Sequence, residues 1–155
     1  MALCWLALWG CGSKGPAYPE DHQRYLRIDG AIEGLRRAYV EHDLEGFRGH
    51  LLPSEKVERL ERDVALDLKT FKQITLDWSV ERIMVDQDLI EVYIHWSGQW
   101  RHEPADAPLR DRGHGRLQFF GTQSVLLESV EGALPFGMSG RSVPGQAHLP
   151  EGGGM

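Results

Sequence analysis

The body of this chain has no cysteine: the only two, Cys4 and Cys11, stand in the opening stretch MALCWLALWGC. From Gly12 to Met155 this excludes a disulfide framework, a CxxC zinc site and a thiol nucleophile. The GxSxG, Walker A, HExxH and EF-hand patterns are missing as well, and no internal repeat occurs. No motif therefore names a reaction, and nothing calls for a metal or a cofactor. Gly137-Met138-Ser139-Gly140 matches a nucleophile elbow only in outline, because no strand–turn–helix pattern surrounds it. Positive charge is in short supply, with 17 Lys and Arg against 23 Asp and Glu and a net charge of −6. Nucleic acid is thereby excluded as the main partner, since phosphate binding needs a basic surface.

Long apolar runs are also lacking. A membrane-spanning helix needs about 20 apolar residues, and the opening run is about half that before Gly10, Gly12, Lys14, Gly15 and Pro16 end it. A short apolar segment followed by small residues fits a secretory signal. Leu8-Trp9-Gly10-Cys11 resembles the lipobox of bacterial lipoproteins, in which the cysteine is acylated. The resemblance implies a signal over 1–11, a lipid on Cys11, a linker over 12–19 and a place in the bacterial cell envelope. A plain cleaved signal and a structural segment are the competing readings. Acyl chains hold a protein on a bilayer at about 0.8 kcal/mol per buried CH₂.

The body reads as a single domain over 20–137. Tyr25, Ile28, Ile32, Leu35 and Tyr39 step by three and four along one helix face, with Pro19 suited to the first turn. Gly30 and Gly34 lie inside; they permit close packing or mark a break near Asp29. Asp43 caps a short second helix with Leu44, Phe47 and Leu51 on its apolar face, ended by Pro53. Ser54 caps a third helix with Val57, Leu60, Val64, Leu68 and Phe71 on one side. The period then changes to two. Leu76, Trp78 and Val80 alternate with polar residues, Ile83 and Val85 continue on the other parity, and a bulge is expected near Glu81-Arg82. Asp86-Gln87-Asp88 suits a hairpin turn. In LIEVYIHWSGQW, Ile90, Val92, Ile94, Trp96 and Trp100 share one face and Leu89, Glu91, Tyr93, His95 and Ser97 the other. A loop is expected over 103–111, a third strand over 115–120, a turn at Gly121-Thr122-Gln123 and a fourth strand over 124–130. The Gly- and Pro-rich residues 138–155 suit a disordered tail.

Three helices before four antiparallel strands make an α+β domain with the helices on one face of the sheet. The stretch AIEGLRRAYVEHDLEGFRGHLLP, with Asp43, Leu44, Phe47 and Pro53, resembles the opening of nuclear transport factor 2-like domains. DWSVERIMV and EVYIHWSGQW are similar to that family's curved sheet. The resemblance covers about residues 22–137 and implies a cone-shaped α+β roll whose helices and bent sheet enclose a pocket. The family includes cyclases, isomerases, dehydratases, transport adaptors and domains without activity, so the fold leaves the function open.

Candidate pocket-lining residues are Trp78, Val92, Ile94, Trp96, Trp100 and His102, although the three tryptophans read first as core residues, since large aromatics fill a pocket as well as line one. Asp77, His95 and His114 are the weak candidates for acid/base chemistry. Strand parity turns Asp77, Tyr93 and His95 outward if Trp78, Val92, Ile94 and Trp96 point inward, which disfavours an enzyme acting on an enclosed substrate. His42 and His50 read as surface residues beside the second helix. His102 and His114, with Arg101, Arg110, Arg112 and Arg116, suit either a basic rim for an anionic group or a solvated loop. The leading expectation is a non-catalytic envelope lipoprotein that binds a hydrophobic small molecule or a protein partner. The alternatives are a small cyclase- or isomerase-type enzyme, and a domain that pairs, as a homodimer, through its outer sheet face.

Overall fold

Residues 19–141 are described in a computed structural model of the chain. The signal, the lipidation at Cys11, the linker up to Pro19 and the tail from 142 lie outside the described residues. Helix α1 spans Pro19–Val40, α2 Leu44–Gly49 and α3 Glu55–Thr70; strands β1 Gln73–Asp86, β2 Leu89–Arg101, β3 Leu109–Phe120 and β4 Leu126–Gly132 follow. The strands form one antiparallel meander in the order β1-β2-β3-β4.

Pro19 opens α1, with Glu20 and Asp21 at its positive end and Arg37 in its last turn. No break occurs at Asp29. Ile28, Ala31, Ile32, Leu35, Ala38 and Tyr39 are all buried, and that packing outweighs the poor helix propensity of two glycines. Gly34 is the site of a close approach: a Cβ there would stand 2.4 Å from the His50 imidazole. The buried stripe begins at Ile28. Tyr25, expected on it, is exposed, because the turns beside it are met by Arg24 and Arg27, which bond to the carbonyls of Gln87 and Thr122.

Asp43 caps α2 as expected, accepting from the Gly46 amide at 2.8 Å. The helix stops at Gly49, before Pro53, because Leu51 and Leu52 turn onto β4: Leu52 N–H donates to Leu127 O and Leu127 N–H to His50 O. Ser54 precedes α3, but its side chain makes no capping bond. Val57, Leu60, Val64 and Phe71 are buried.

The sheet follows the predicted parity. β1 pairs with β2 from Gln73↔Arg101 to Asp86↔Leu89, with the bulge between Val80 and Arg82. Ile90, Val92, Ile94, Trp96 and Trp100 face the helices and are buried. β3 begins at Leu109 and not at 115. Its first half, Arg110-Asp111-Arg112-Gly113-His114, carries no apolar alternation, yet it pairs residue for residue with the far half of β2. The inward positions there are Gly113 and Gly115, covered by Ala133, Trp96 and Leu134, so the expected loop is in part a strand. β4 lies two residues later than expected. The domain also runs past Gly137: Met138 is buried in a 3₁₀ turn, Met138–Gly140, so the first residues assigned to the tail belong to the fold.

His50 is half-buried rather than a surface residue. Burial, and secondarily Arg37, push its pKa below the ordinary 6.5. The unfolded chain therefore takes up this proton first as pH falls. His50 should lower stability as pH drops through 6.5 toward its folded value, and add no further slope below that. His50→Ala should flatten this part of a denaturant-midpoint profile. In that background Gly34→Ala should raise stability by roughly 1 kcal/mol through helix propensity. In the native background, where the imidazole must move aside, the gain should disappear.

Candidate functional site

One polar side chain is fully buried among the described residues, Asp67 on α3. It sits on the buried stripe of that helix, three residues beyond Val64 and four before Phe71. Its carboxylate accepts from Tyr39 Oη at 2.7 Å and from three consecutive backbone amides, Gly137 at 2.7 Å, Met138 at 3.1 Å and Ser139 at 2.7 Å. Trp100 Nε1 donates to Tyr39 Oη at 2.8 Å. One carboxylate thus joins α1, α3, β2 and the C-terminal turn. Burial, with the Asp67 carboxylate beside it, holds the Tyr39 phenol well above the ordinary tyrosine range. Tyr39 is therefore fixed as a hydrogen-bond donor.

The amides converge because Gly137 has φ 77, the left-handed geometry that glycine adopts freely. A turn with successive N–H groups pointing to one place is an anion-binding nest, and here the anion is the protein's own. The turn also places Phe136. Its ring meets Tyr39 edge-on at 5.0 Å, Phe47 at 5.4 Å and Trp78 at 6.4 Å, and the residue is 4% exposed. Phe136 is thus the central filler of the space between helices and sheet.

Of the six sequence-predicted lining residues, Trp78, Val92, Ile94 and Trp96 pack into or against the core, while Trp100 and His102 border a hollow. Val92, Ile94 and Trp96 are buried in the core. Trp96 and Trp100 meet edge-on at 6.1 Å, and Trp96 Nε1 donates to Ala133 O at 2.8 Å. Trp78 is half-buried against the core. His102 is exposed, tilted against Phe71 at 4.9 Å; with Trp100, Leu109 and Met138 it borders an open hollow of about 520 Å³ beside the 3₁₀ turn.

The acid/base candidates lie on the opposite, outer face. His95 and His114 are register partners, exposed, with rings stacked at 4.7 Å. His114 Nδ1 is 3.4 Å from Glu81 Oε1. Asp77 is not with them; it pairs across from Ser97. With Thr75, Gln99, Arg110 and Arg112 it lines an open hollow of about 430 Å³. Arg116 is held between Glu91 and Glu131, and the Arg82 guanidinium lies 4.2 Å over the Tyr93 ring. Arg101, Arg110 and Arg112 thus gather toward the end of β2, while Arg116 lies apart from them between its carboxylates. No cluster of three or more metal-ligating side chains occurs among the described residues.

No protein-family model and no curated sequence matches the chain. Solved structures do. A candidate dehydratase of the nuclear transport factor 2-like family from Streptomyces avermitilis superposes with a TM-score of 0.62 at 12% identity, over 73% of this chain and 99% of that one. The fold is nuclear transport factor 2-like. A superfamily protein from Salmonella enterica serovar Typhimurium matches at 0.61 and 10% identity, over 83% and 99% of the two chains. A conserved protein from Planctomyces limnophilus matches at 0.62 and 14%, over 72% and 95%. At such identities the likeness establishes the nuclear transport factor 2-like fold and leaves the activity open.

Sequence reasoning missed Asp67, Tyr39 as its partner, and Phe136. The available signal was Asp67 itself, a carboxylate in the apolar stripe Val57, Leu60, Val64, Asp67, Phe71. Phe136→Ala should lower stability by roughly 3–5 kcal/mol and leave an apolar space that takes up xenon or benzene, while the native interior takes up neither. Asp67→Asn, losing its charge toward several donors at once, should lower stability by about 3 kcal/mol. Denaturant unfolding and NMR titration with the probe check both.

Proposed function

We propose that this chain is a non-catalytic protein of the bacterial cell envelope, held to the membrane by a lipid on Cys11, whose domain binds a protein partner through the outer face of its sheet. The occupied interior is the observation that carries the reading. A substrate or hydrophobic ligand inside the roll needs the place held by Phe136 and the carboxylate already taken by three amides. An interior cyclase-like or isomerase-like site, and an interior small-molecule site, are both disfavoured on that ground. The name of the Streptomyces structure speaks of that protein and brings no dehydratase chemistry here.

The outer face is built differently. Thr75, Asp77, Ser97, Arg110 and Arg112 are exposed there around an open hollow of about 430 Å³. The face is also polarised along the strands. Beyond His95 toward the end of β2 it presents Arg101, Arg110 and Arg112 against Asp77 and Asp111, the latter paired with Arg141; toward the start of β2 it presents Glu81, Asp86, Glu91 and Glu131 against Arg82 and Arg116. A two-fold axis over the His95–His114 pair would lay the basic end of one copy on the acidic end of another. Closed two-fold pairing is the commonest symmetry of oligomers, so a second copy is the partner this charge pattern fits best.

Sedimentation of the full chain tests the pairing. The native protein should self-associate. Arg112→Glu and Glu91→Arg should each weaken the association, and the double variant should restore it. Self-association indifferent to all three would remove the outer face from the reading. Mass spectrometry of membrane-fraction protein tests the tether, which fails if Met1 to Cys11 is intact and unmodified.

A further inference from the structure

Seven large apolar side chains are exposed among the described residues: Tyr25, Leu26, Leu66, Val80, Met84, Val85 and Phe120. Five of them fall in three places: Tyr25 and Leu26 in the first turns of α1, Met84 and Val85 at the end of β1, and Phe120 at the end of β3. Those segments meet at one end of the domain. Arg24 bonds to Gln87 O in the β1–β2 turn, and Arg27 to Thr122 O in the β3–β4 turn at 2.8 Å. Phe120 is the register partner of Leu89, and Met84 lies three residues before Gln87 of the β1–β2 turn. Monomeric soluble proteins rarely gather exposed apolar side chains in this way without a use for them.

That end is also where the chain enters the domain. Pro19 begins α1, and seven residues, 12–18, separate it from Cys11. Even fully extended they reach about 25 Å. Resting on the lipid tether proposed above, we infer that this end of the domain lies on the bilayer surface, with Tyr25, Leu26, Met84, Val85 and Phe120 in the headgroup region. Tyrosine suits that depth, with an apolar ring and a polar tip.

The local charges say which force acts. Glu20, Asp21, Asp86 and Asp88 outnumber Arg24 and Arg27 at this end, so attraction to anionic lipid is not the source. The contact is apolar, tolerates salt, and holds on neutral lipid. It is weak alone and becomes persistent because the tether keeps the domain within reach. β2 runs from this end, at Leu89, to the loop after Arg101, so that loop stands about 40 Å away at strand rise. The pairing that lays basic end on acidic end sets the two α1 ends about 40 Å apart, beyond the reach of residues 12–18, so for copies on one bilayer docking and pairing are alternatives and the docked copy is the unpaired one.

The test uses the full chain carrying Gln123→Cys at the docked end or Ala105→Cys at the far end, both exposed positions. If Cys4 has left with the signal and Cys11 is acylated, the introduced thiol is the only free one and takes a fluorophore. In phosphatidylcholine vesicles containing dibrominated acyl chains, the label at 123 should be quenched severalfold more than the label at 105. Replacing Tyr25, Leu26 and Phe120 together by serine should bring the two together while Cys11 stays acylated and the circular dichroism is unchanged. An acylated native chain in which 123 and 105 behave alike overturns the docking alone. A soluble chain with an unmodified Cys11 overturns the tether, and the docking with it.

Discussion

The carboxylate of Asp67 holds together what the rest of the fold would leave apart. It stands on α3, receives the phenol of α1, which in turn receives the indole of β2, and it grips three successive amides of the 3₁₀ turn. A buried charge costs several kcal/mol unless donors surround it. The chain therefore has a strong requirement to bring Gly137–Ser139 back to α3. Phe136 comes with that turn, and the interior is closed as a consequence. Hydrophobic burial alone would fill the roll with any side chain of suitable size; the Asp67 grip specifies which segment does so and in what register.

This constraint divides the molecule by face. On the inner side, β2 alternates large apolar residues into a packed core with Trp96 and Trp100 at right angles. On the outer side the same strand exposes Glu91, Tyr93, His95 and Ser97 amid ion pairs and stacked imidazoles. The surface carries three kinds of character: a charged, polarised sheet face, an apolar end where α1 begins, and the rim around the C-terminal turn.

Much of this was legible in the order of residues. The three-and-four steps of α1 and α3, the cap at Asp43, the bulge after Val80 and the parity of β2 all follow from periodicity, because each reports burial on one side of a regular element. The first half of β3 was not legible. Its inward positions are glycines filled from outside by Ala133, Leu134 and Trp96, and its strand character comes from pairing with β2, which no local pattern records. The interior was left open for a related reason. Trp78, Val92, Ile94 and Trp96 look alike whether they line a pocket or fill one. What decides between the two is a segment some 70 residues beyond Asp67, and only the fold brings them together. The charged residue within the α3 stripe was the one local trace of that contact.

Hydrogen exchange at the amides of Gly137, Met138 and Ser139 tests the central claim most directly. If Asp67 makes this turn an integral closure, the three amides should exchange only through openings nearly as costly as global unfolding, alongside Ile94 and Leu117 in the strands. Exchange at rates near those of an open chain, while the strand amides remain protected, would show a turn that leaves its seat in the native state, and would contradict the occupied interior on which the account rests.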